Sequence, residues 1–404
     1  MFIAEILRFK RKRRMRRLKR RIGLVCLILV AVMLALHLPS RAMPTEEKPQ
    51  VELELDCKSA ILVEASTGQV LYEKNADAAL PPASVTKIMT LLLVMEAIDS
   101  GKLKYDDTVR ASANACSMGG SQIYLEENEE MSVEDLLKSV IIASANDAAV
   151  ALAEHVAGSE EVFVEQMNAK ASALGMKNTN FENTNGLDDT VERHVTSARD
   201  IAIMSRELIK YPKITEYSSI WMDSVRGGEF GLTNTNRLVR FYKGATGLKT
   251  GSTARAGFCI SATAERNGMG LICVIMGAPS RDVRNAAAVK LLDYGFANYC
   301  LYKSESKIIE DIPVLKGVEP CVDAQYAAFS KIMKKSEVGN ISVSLNMPNQ
   351  LSAPVEKGEK IGEAIFSAGG VELGRKNIIA CDTVEELGWG NMILLILRKC
   401  ALIF

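Results

Sequence analysis

A pair of prolines followed by a long apolar run is the feature that most constrains how this chain can fold. Pro81-Pro82 ends any preceding regular element, because proline fixes φ and has no backbone N–H. Residues 88–98 are mostly apolar and contain neither glycine nor proline, so they predict a helix. Ser84 and Lys87 lie three positions apart at its start and therefore share one face.

Ser84 and Lys87 have the residue types of a catalytic pair. A serine hydroxyl is a poor nucleophile until a neighbouring base takes its proton. A lysine can be that base if burial, a second cation or the positive end of a helix lowers its pKa. Alternatively, Ser84 caps the helix and Lys87 is a solvated charge. The pattern alone does not decide, because Ser304 and Lys307 have the same spacing.

The distribution of charge excludes nucleic-acid binding for most of the chain. The 404 residues are 48% hydrophobic, which is typical of a globular protein with room for two domains. The net charge is zero, but residues 1–41 hold twelve lysines and arginines against one glutamate. The remaining part therefore carries a net charge of −11, and we expect no nucleic-acid partner for it.

The N-terminal segment has the pattern of an export signal. Residues 8–21 are strongly basic, residues 22–38 are apolar, and small residues at positions 40 and 42 are compatible with cleavage after Ala42. We interpret residues 1–42 as a signal peptide or membrane anchor, and 43–56 as a polar linker. The start at Met1 or Met15 remains open. The folded part is then expected outside the cytoplasmic membrane.

Strand patterns at both ends of a helical middle predict an α+β domain over residues 57–300. Residues 59–73 read as a β-hairpin. Helical patterns follow at 132–157, 160–174 and 197–210. Strand patterns follow at 214–225, 244–252, 256–265 and 270–277, and a final helix at 281–299. We expect the first and last strands to pair in one antiparallel sheet.

The C-terminal third has a different pattern of apolar and polar residues. Short alternating runs, such as residues 341–345, predict a small all-β domain over 304–382. It could be a spacer, a docking module or a lid, and we favour a spacer. Residues 388–404 are apolar with two cations, but too short to span a bilayer. We expect a helix that lies in the membrane interface. The alternative is a terminal strand or helix docked on the β-domain.

The nine cysteines show no metal-like spacing. Cys259 and Cys273 lie in one apparent hairpin whose two-residue turn would be Asn267-Gly268. In that register Cys273 opposes Ala262, and Cys259 opposes Met276 on the other face of the sheet. We therefore predict no disulfide between the two cysteines.

Two further motifs could complete a site with Ser84 and Lys87. Ser144-Ala145-Asn146 follows an apolar run where two helical patterns meet; the alternative is that it is a helix end or cap. Ser112-Ala113-Asn114 has the same form, but it runs into a Gly119-Gly120 loop that we expect at the surface. Lys249-Thr250-Gly251 lies on a strand pattern and offers a cation and a hydroxyl to an anionic group, beside a glycine that permits close approach.

Together, the three motifs have the order that defines penicillin-binding proteins and class A β-lactamases. The chain resembles the low-molecular-mass penicillin-binding proteins, and is most similar to serine-type D-alanyl-D-alanine carboxypeptidases (peptidase family S11) of vegetative or sporulation type. The sequence similarity to this family extends to residues 83–90, 143–148, 183–187 and 291–296. The resemblance implies a transpeptidase-like α+β domain, with an antiparallel sheet and a helical cluster, followed by a small all-β domain.

The resemblance also implies roles for individual residues. Ser84 would form the acyl-enzyme, Lys87 would be the general base, Ser144 would relay a proton, and Asn146 would position the substrate or Lys87. The residues expected to bind the terminal carboxylate are Lys249, Thr250, Gly251 and Arg284. The backbone N–H groups of Ser84 and Ser252 would form the oxyanion hole. No metal or cofactor is implied.

The implied substrate is the pentapeptide stem of peptidoglycan, from which the last D-alanine is removed, and β-lactams are the implied covalent inhibitors. We expect the enzyme at the extracytoplasmic face of a bacterial membrane, held by the C-terminal segment or an N-terminal anchor. A class A β-lactamase would need a Glu-x-x-Leu-Asn element, from which residues 182–186 depart. A transpeptidase, an endopeptidase and an inactive wall-binding scaffold remain alternatives.

Overall fold

The computed structural model describes residues 53–189, 191–339 and 341–401. The predictions for residues 1–42 and most of the linker therefore lie outside the described residues. The elements of the first part are, in chain order, β1 Ser59–Glu64, β2 Val70–Lys74, α1 Lys87–Asp99, β3 Thr108–Arg110, α2 Ala113–Cys116, β4 Glu130–Ser132, α3 Val133–Lys138, α4 Asn146–Ala157, α5 Glu160–Ala173, α6 Ala198–Leu208, α7 Pro212–Ser218, β5 Met222–Val225, β6 Phe230–Thr233, α8 Leu238–Phe241, β7 Ala245–Thr253, β8 Gly257–Arg266, β9 Met269–Ala278 and α9 Arg281–Asn298.

The elements of the second part are β10 Tyr299–Ser304, β11 Lys307–Leu315, β12 Cys321–Tyr326, β13 Phe329–Lys334, β14 Ile341–Asn346, β15 Leu351–Ser352, β16 Lys360–Ala368, β17 Val371–Ala380 and α10 Trp389–Ala401.

A five-stranded antiparallel sheet organises the first part, in the order β2-β1-β9-β8-β7. The first strand pairs with a late one, Ile61 opposite Val274, so the predicted α+β arrangement is confirmed. Side chains alternate along β1, and the two faces are covered by different layers. Ile61 packs with the helical cluster, whereas Leu62 packs with α9.

Helix α1 lies at the centre of the helical cluster, because its apolar residues cover every side. Consecutive pairs such as Ile88 and Met89 are both fully buried. It packs against α6 and α4, and it also contacts α5. A helix embedded on all sides gives the residues at its start a fixed position.

The β8–β9 hairpin has the predicted turn, and both turn residues, Asn267 and Gly268, have positive φ. Ala262 opposes Cys273 as predicted. The predicted pairing of Cys259 with Met276 is not found, because a bulge between Phe258 and Ile260 shifts the register. Both cysteines are free.

The strand predicted over residues 214–225 is wrong in its first half. Pro212 occupies the first turn of a helix, α7, where its missing N–H costs nothing. Ile214 and Tyr217 lie three apart and are both buried, a helical rather than a strand spacing. The strand begins only at Met222.

The second part is built on a six-stranded sheet in the order β14-β16-β17-β12-β11-β15, joined by the separate pair β10–β13. Its core contains Phe329 stacked on Phe366, with ring centroids 4.2 Å apart. Ile332 of β13 packs in the core beneath α9, and the Lys335 ammonium donates to the Phe296 carbonyl (2.8 Å). The prediction of a small all-β domain after the α+β domain is confirmed.

The tail forms helix α10, with exposed apolar side chains at Trp389, Ile393, Ile396 and Leu397. Their spacing places them on one face. Within the described ranges, every helix is too short or too polar to cross a membrane.

Candidate active site

The Ser84 side chain lies at the start of α1, in a short 3₁₀ turn that spans Ala83–Thr86. Ala83 has a φ of +49°, which is unusual for a residue with a Cβ. Ser84 is partly exposed, whereas Lys87 is completely buried. The turn therefore presents the hydroxyl to solvent and keeps the amine behind it.

The Lys87 ammonium group has three close oxygen neighbours. Its Nζ lies 2.9 Å from Ser84 Oγ, 2.5 Å from Asn146 Oδ1 and 2.8 Å from the Asn185 carbonyl oxygen. The last two oxygens only accept hydrogen bonds. A neutral amine has two hydrogens for these acceptors, and its lone pair then faces the Ser84 hydroxyl, as a general base requires.

The surroundings of Lys87 favour the neutral amine. Burial lowers its pKa well below the ordinary value, and the nearby Lys249 charge lowers it further. Asp147 acts in the opposite direction. That carboxylate, however, accepts hydrogen bonds from the backbone N–H groups of Ile123 and Leu125, so it is satisfied without a direct bond to the lysine.

Ser144 interrupts the helix predicted over 132–157. A π-helical turn at Ser139–Ala143 ends at Ser144, which adopts the left-handed conformation (φ 65°, ψ 31°). Functional sites often contain such turns and such strained residues. Its hydroxyl accepts a hydrogen bond from Lys249 Nζ (2.8 Å), and α4 begins two residues later at Asn146.

The Asn146 side chain is held at both ends. Its oxygen accepts from Lys87, and its Nδ2 donates to the Gly119 carbonyl (2.6 Å). A Cβ at Gly120 would lie 2.9 Å from the same Nδ2. The Gly119-Gly120 loop was expected at the surface; its residues are exposed, but its backbone orients a side chain of the site.

Lys249 and Thr250 lie on β7, the edge strand of the central sheet. Lys249 is buried, and burial together with the Arg284 charge lowers its pKa to about 7. The Thr250 hydroxyl donates to the hydroxyl of Thr235 (2.8 Å). The strand therefore brings a tunable cation and a hydroxyl beside Ser144.

Gly251 lets β7 approach the Ser84 turn. A Cβ at this position would lie 2.7 Å from the Ser84 nitrogen and 2.8 Å from the Val85 nitrogen. Any side chain would therefore separate the strand from the turn. Ser252 follows and is exposed at the opening beside Ser84.

These residues surround a cavity of about 570 Å³. Of the residues predicted from sequence, those that line it are Ser84, Ser144, Thr250, Gly251, Ser252 and Arg284. Lys87, Asn146 and Lys249 lie behind this wall and contact it through hydrogen bonds. The lining residues that the sequence did not indicate are Ser121, Trp221, Thr233, Asn234, Thr235, Arg237, Phe241 and Arg281.

Three arginines make the cavity electropositive. Arg284 is buried at the start of α9, and its Nη1 donates to the Cys259 carbonyl (3.4 Å). Burial and the charges of Arg281 and Arg237 lower its pKa to about 10. Within the described ranges, none of the three has a carboxylate at ion-pair distance. An anionic ligand fits this cavity.

The region that would carry a β-lactamase glutamate is organised differently. Glu182 is exposed, and its carboxylate accepts a hydrogen bond from the backbone N–H of Arg193 (2.8 Å). The same segment instead supplies the Asn185 carbonyl to Lys87. In the sequence, Asn185 lies within residues 183–187, which resemble the family, but a backbone acceptor leaves no residue-type signal.

The arrangement supports acyl transfer on a ligand with a free carboxylate. It combines a hydroxyl, a buried amine at hydrogen-bond distance from it, a second hydroxyl beside a second amine, and an arginine. These side chains together supply both a nucleophile and a binding site for an anion.

The sequence matches two families along its length. Residues 43–280 match the family described as D-alanyl-D-alanine carboxypeptidase, and residues 296–386 match the penicillin-binding protein 5 C-terminal domain. The chain is 42% identical to the D-alanyl-D-alanine carboxypeptidase DacF of Bacillus subtilis, over 91% of this chain and 95% of that protein.

The fold also matches solved structures. Penicillin-binding protein 5 from Haemophilus influenzae superposes with a TM-score of 0.71 at 32% identity, covering 83% of this chain and 99% of that one. Penicillin-binding protein D2 from Listeria monocytogenes, in its ampicillin-bound form, superposes with a TM-score of 0.56 at 33% identity. That match covers 61% of this chain and 99% of the Listeria chain.

Proposed function

The chain belongs to the D-alanyl-D-alanine carboxypeptidase family of serine peptidases, and from that membership we propose that Ser84 is its nucleophile. It is a hydrolase of the class that removes the C-terminal D-alanine from peptidoglycan stem peptides through an acyl-enzyme. The observation that carries the assignment is the buried Lys87 amine, 2.9 Å from Ser84 Oγ, with acceptors on its other side.

In the acylation step, Lys87 takes the proton of Ser84 Oγ, and the oxygen attacks the carbonyl carbon of the penultimate D-alanine. The backbone N–H groups of Ser84 and Ser252 bind the oxyanion, at about 3 kcal/mol for each donor. The terminal carboxylate lies between Lys249, Thr250 and Arg284, which turns the scissile bond towards Ser84.

The leaving amine needs a proton, and Ser144 is placed to give it. The Ser144 hydroxyl accepts from Lys249, so its own hydrogen remains available to the departing nitrogen. The proton held by Lys87 then replaces the one that Ser144 has lost. As the C–N bond breaks, D-alanine leaves, and water later hydrolyses the ester and restores the Ser84 hydroxyl.

Covalent labelling by a fluorescent penicillin tests this function. We expect the wild-type protein to be labelled and the Ser84→Ala variant to remain unlabelled, because the acyl bond forms on Ser84 Oγ. Ser304→Ala is the matched control, since it changes the serine of the second Ser-x-x-Lys pattern, and it should be labelled normally. Retained labelling of Ser84→Ala would refute the assignment.

The type of reaction is tested with a pentapeptide that ends in two D-alanines. We expect one free D-alanine for each peptide consumed, and no cross-linked dimer. Formation of dimer would indicate a transpeptidase, and rapid turnover of a penicillin would indicate a β-lactamase.

We further propose that α10 binds the membrane interface outside the cell. Its exposed apolar side chains at Trp389, Ile393 and Ile396 lie on one face, and Trp is favoured at headgroup depth. Ile396→Glu should weaken co-sedimentation with anionic lipid vesicles. Asn391→Glu adds the same charge on another face and should weaken it less; equal losses would contradict an apolar contact.

A further inference from the structure

The peptide group between Ala83 and Ser84 carries both a buried acceptor and the proposed oxyanion donor. In a planar trans peptide, the C=O and the N–H point in opposite directions. The direction of the Ala83 carbonyl therefore fixes the direction of the Ser84 N–H. Ala83 has a φ of +49°, which an alanine adopts only when its surroundings hold it there.

A chain of hydrogen bonds holds the Ala83 carbonyl. The backbone N–H of Glu182 donates to His194 Nδ1 (2.9 Å), so the imidazole hydrogen must be on Nε2. Nε2 lies 2.7 Å from the Thr86 hydroxyl, which in turn donates to the Ala83 oxygen (2.8 Å). Every donor in this series of hydrogen bonds has one acceptor. The Glu182 N–H, as the first donor, sets the direction in which all of them donate.

The chain lies in the protein interior, where water cannot replace its members. His194, Thr86 and Ala83 are each at most 1% exposed. Burial lowers the pKa of His194 to about 4, against the opposing charges of Glu182 and Asp188 and with the help of Arg255. The imidazole is therefore neutral near pH 7, and it keeps the single tautomer that the chain requires.

Two glycines enclose the same peptide group from opposite sides. A Cβ at Gly186 would lie 2.0 Å from the Ala83 oxygen and 2.8 Å from the Thr86 hydroxyl oxygen. A Cβ at Gly251 would lie 2.7 Å from the Ser84 nitrogen. The carbonyl thus faces the segment that contains Gly186, and the N–H faces β7 at the cavity.

We propose that His194 is a positioning residue, which acts through Thr86 on the Ala83–Ser84 peptide group and aims the Ser84 N–H at the oxyanion. This inference rests on the proposed role of Ser84 and deepens it. His194 touches neither the cavity nor the reacting atoms. Its contribution is to the rate of acylation rather than to the binding of the carboxylate.

Variants of Thr86 test the proposal in the full-length protein. Thr86→Val keeps the shape of the side chain and removes the hydroxyl. We expect it to lower kcat for D-alanine release, and the acylation rate with a fluorescent penicillin, by about tenfold to a hundredfold, part of the loss typical of a missing oxyanion donor. KM for the pentapeptide should change by less than about twofold. Thr86→Ser should restore the rates.

Thr90→Val is the matched control. Thr90 is buried one turn further along α1, and its hydroxyl donates to the Thr184 carbonyl (2.5 Å) in the same opposing segment. It has no contact with the Ala83 peptide group. We expect Thr90→Val to lower the unfolding temperature about as much as Thr86→Val, while the acylation rate stays within about twofold of wild type.

His194→Gln gives a second test that does not depend on Thr86→Val being foldable. Its amide can donate in place of Nε2, so it should keep most of the acylation rate, whereas His194→Phe should lose as much as Thr86→Val. The double variant of His194→Phe and Thr86→Val should lose no more than either single variant, because both break one chain.

Two outcomes would overturn the inference: equal rates for Thr86→Val and Thr90→Val, or a loss that appears in KM and not in kcat. Failure of the proposed function is distinguishable, because it would appear as labelling of Ser84→Ala. If Ser84→Ala is unlabelled and the two threonine variants behave alike, only the positioning role of His194 is wrong.

Discussion

The Ser-x-x-Lys pattern occurs twice in the chain, and the two copies have very different surroundings. At Ser84 the pattern opens a buried helix, and Lys87 is fully enclosed with its Nζ 2.9 Å from the hydroxyl. At Ser304 the pattern spans the turn between β10 and β11, and Lys307 is exposed. The Ser304 hydroxyl donates to the Glu305 carbonyl (3.4 Å).

The difference shows that a helix start, and not the spacing, makes the pair. Residues three apart meet on a helix, but they do not meet across a turn between strands. Burial then lowers the pKa of Lys87, whereas Lys307 is exposed. The two Ser-Ala-Asn copies differ in the same way. Ser112 and Asn114 both donate to the carboxylate of Glu154 near the surface, whereas Ser144 receives a cation.

Removal of each lysine is the strongest test of this comparison. Lys87→Met removes the proposed base while it keeps a long apolar stem, and we expect the acylation rate with a fluorescent penicillin to fall by about a thousandfold. Lys307→Met changes the equivalent lysine of the other copy and should leave the rate unchanged. A comparable loss in both variants, or none in Lys87→Met, would remove the distinction between the copies.

The close approach of β7 is a second difference, since it encloses only the Ser84 turn. Gly251→Ala places a Cβ 2.7 Å from the Ser84 nitrogen and must push the strand away. A displacement of about 1 Å at the reacting groups should lower the acylation rate by about a hundredfold. Gly231→Ala, on a strand where a Cβ has open space, is the control and should act normally. Normal acylation by Gly251→Ala would show that the turn tolerates a separated strand.

The cation cluster gives a smaller, pH-dependent effect. In the proposed mechanism protonated Lys249 binds the substrate carboxylate, so KM should rise as pH increases through its pKa of about 7 in the empty site. Arg284→Gln should raise KM about tenfold by the loss of a charged donor. It should also move the rise of KM to higher pH, because the Arg284 charge lowers the Lys249 pKa.

The measurement is the pH profile of KM for D-alanine release. Arg110→Gln serves as the control, because Arg110 pairs with Glu130 at the surface, and it should leave the profile unchanged. An unshifted profile in Arg284→Gln would mean that the Arg284 charge does not lower the pKa of Lys249.

Local patterns predicted much of the site, because each motif combines residue types with an element that carries them. The Ser84 helix, the strand of Lys249 and the hairpin turn at Asn267 follow from periodicity and turn chemistry. What brings Ser144 to Lys249, 105 positions apart, is tertiary packing, and only the family resemblance indicated it.

Other features had no local signal. Arg237 and Arg281 look like ordinary surface charges in sequence, and they join the cavity because the residue before α8 and the first residue of α9 both line it. His194 contacts Thr86 across 108 positions. The helix at Pro212 was predicted as a strand, since a short apolar run fits either element and is decided by its packing partners.

The smallest expected effect is on the free energy of unfolding. It concerns His194, whose hydrogen bonds support the turn at Ser84 and have no counterpart described at Ser304. The folded pKa of His194 is about 4, below the ordinary 6.5 of an unfolded chain. The unfolded chain therefore binds more protons between these values, and the free energy of unfolding falls as pH decreases through that window. Between pH 6.5 and 5.5 this site should cost about 1 kcal/mol, because each pKa unit of difference corresponds to about 1.4 kcal/mol.

Urea unfolding of wild type and His194→Gln at several pH values measures this contribution, since the other titrating groups are common to both proteins. Relative to His194→Gln, the wild type should lose stability as the pH falls below 6.5, and the difference between the two curves should stop changing near pH 4. The acidic groups Glu182 and Asp188 and the cation Arg255 face the imidazole, so they set where the curve levels. Parallel curves would mean that His194 is not kept neutral by the fold, and a protonated imidazole would then oppose the Glu182 N–H instead of accepting from it.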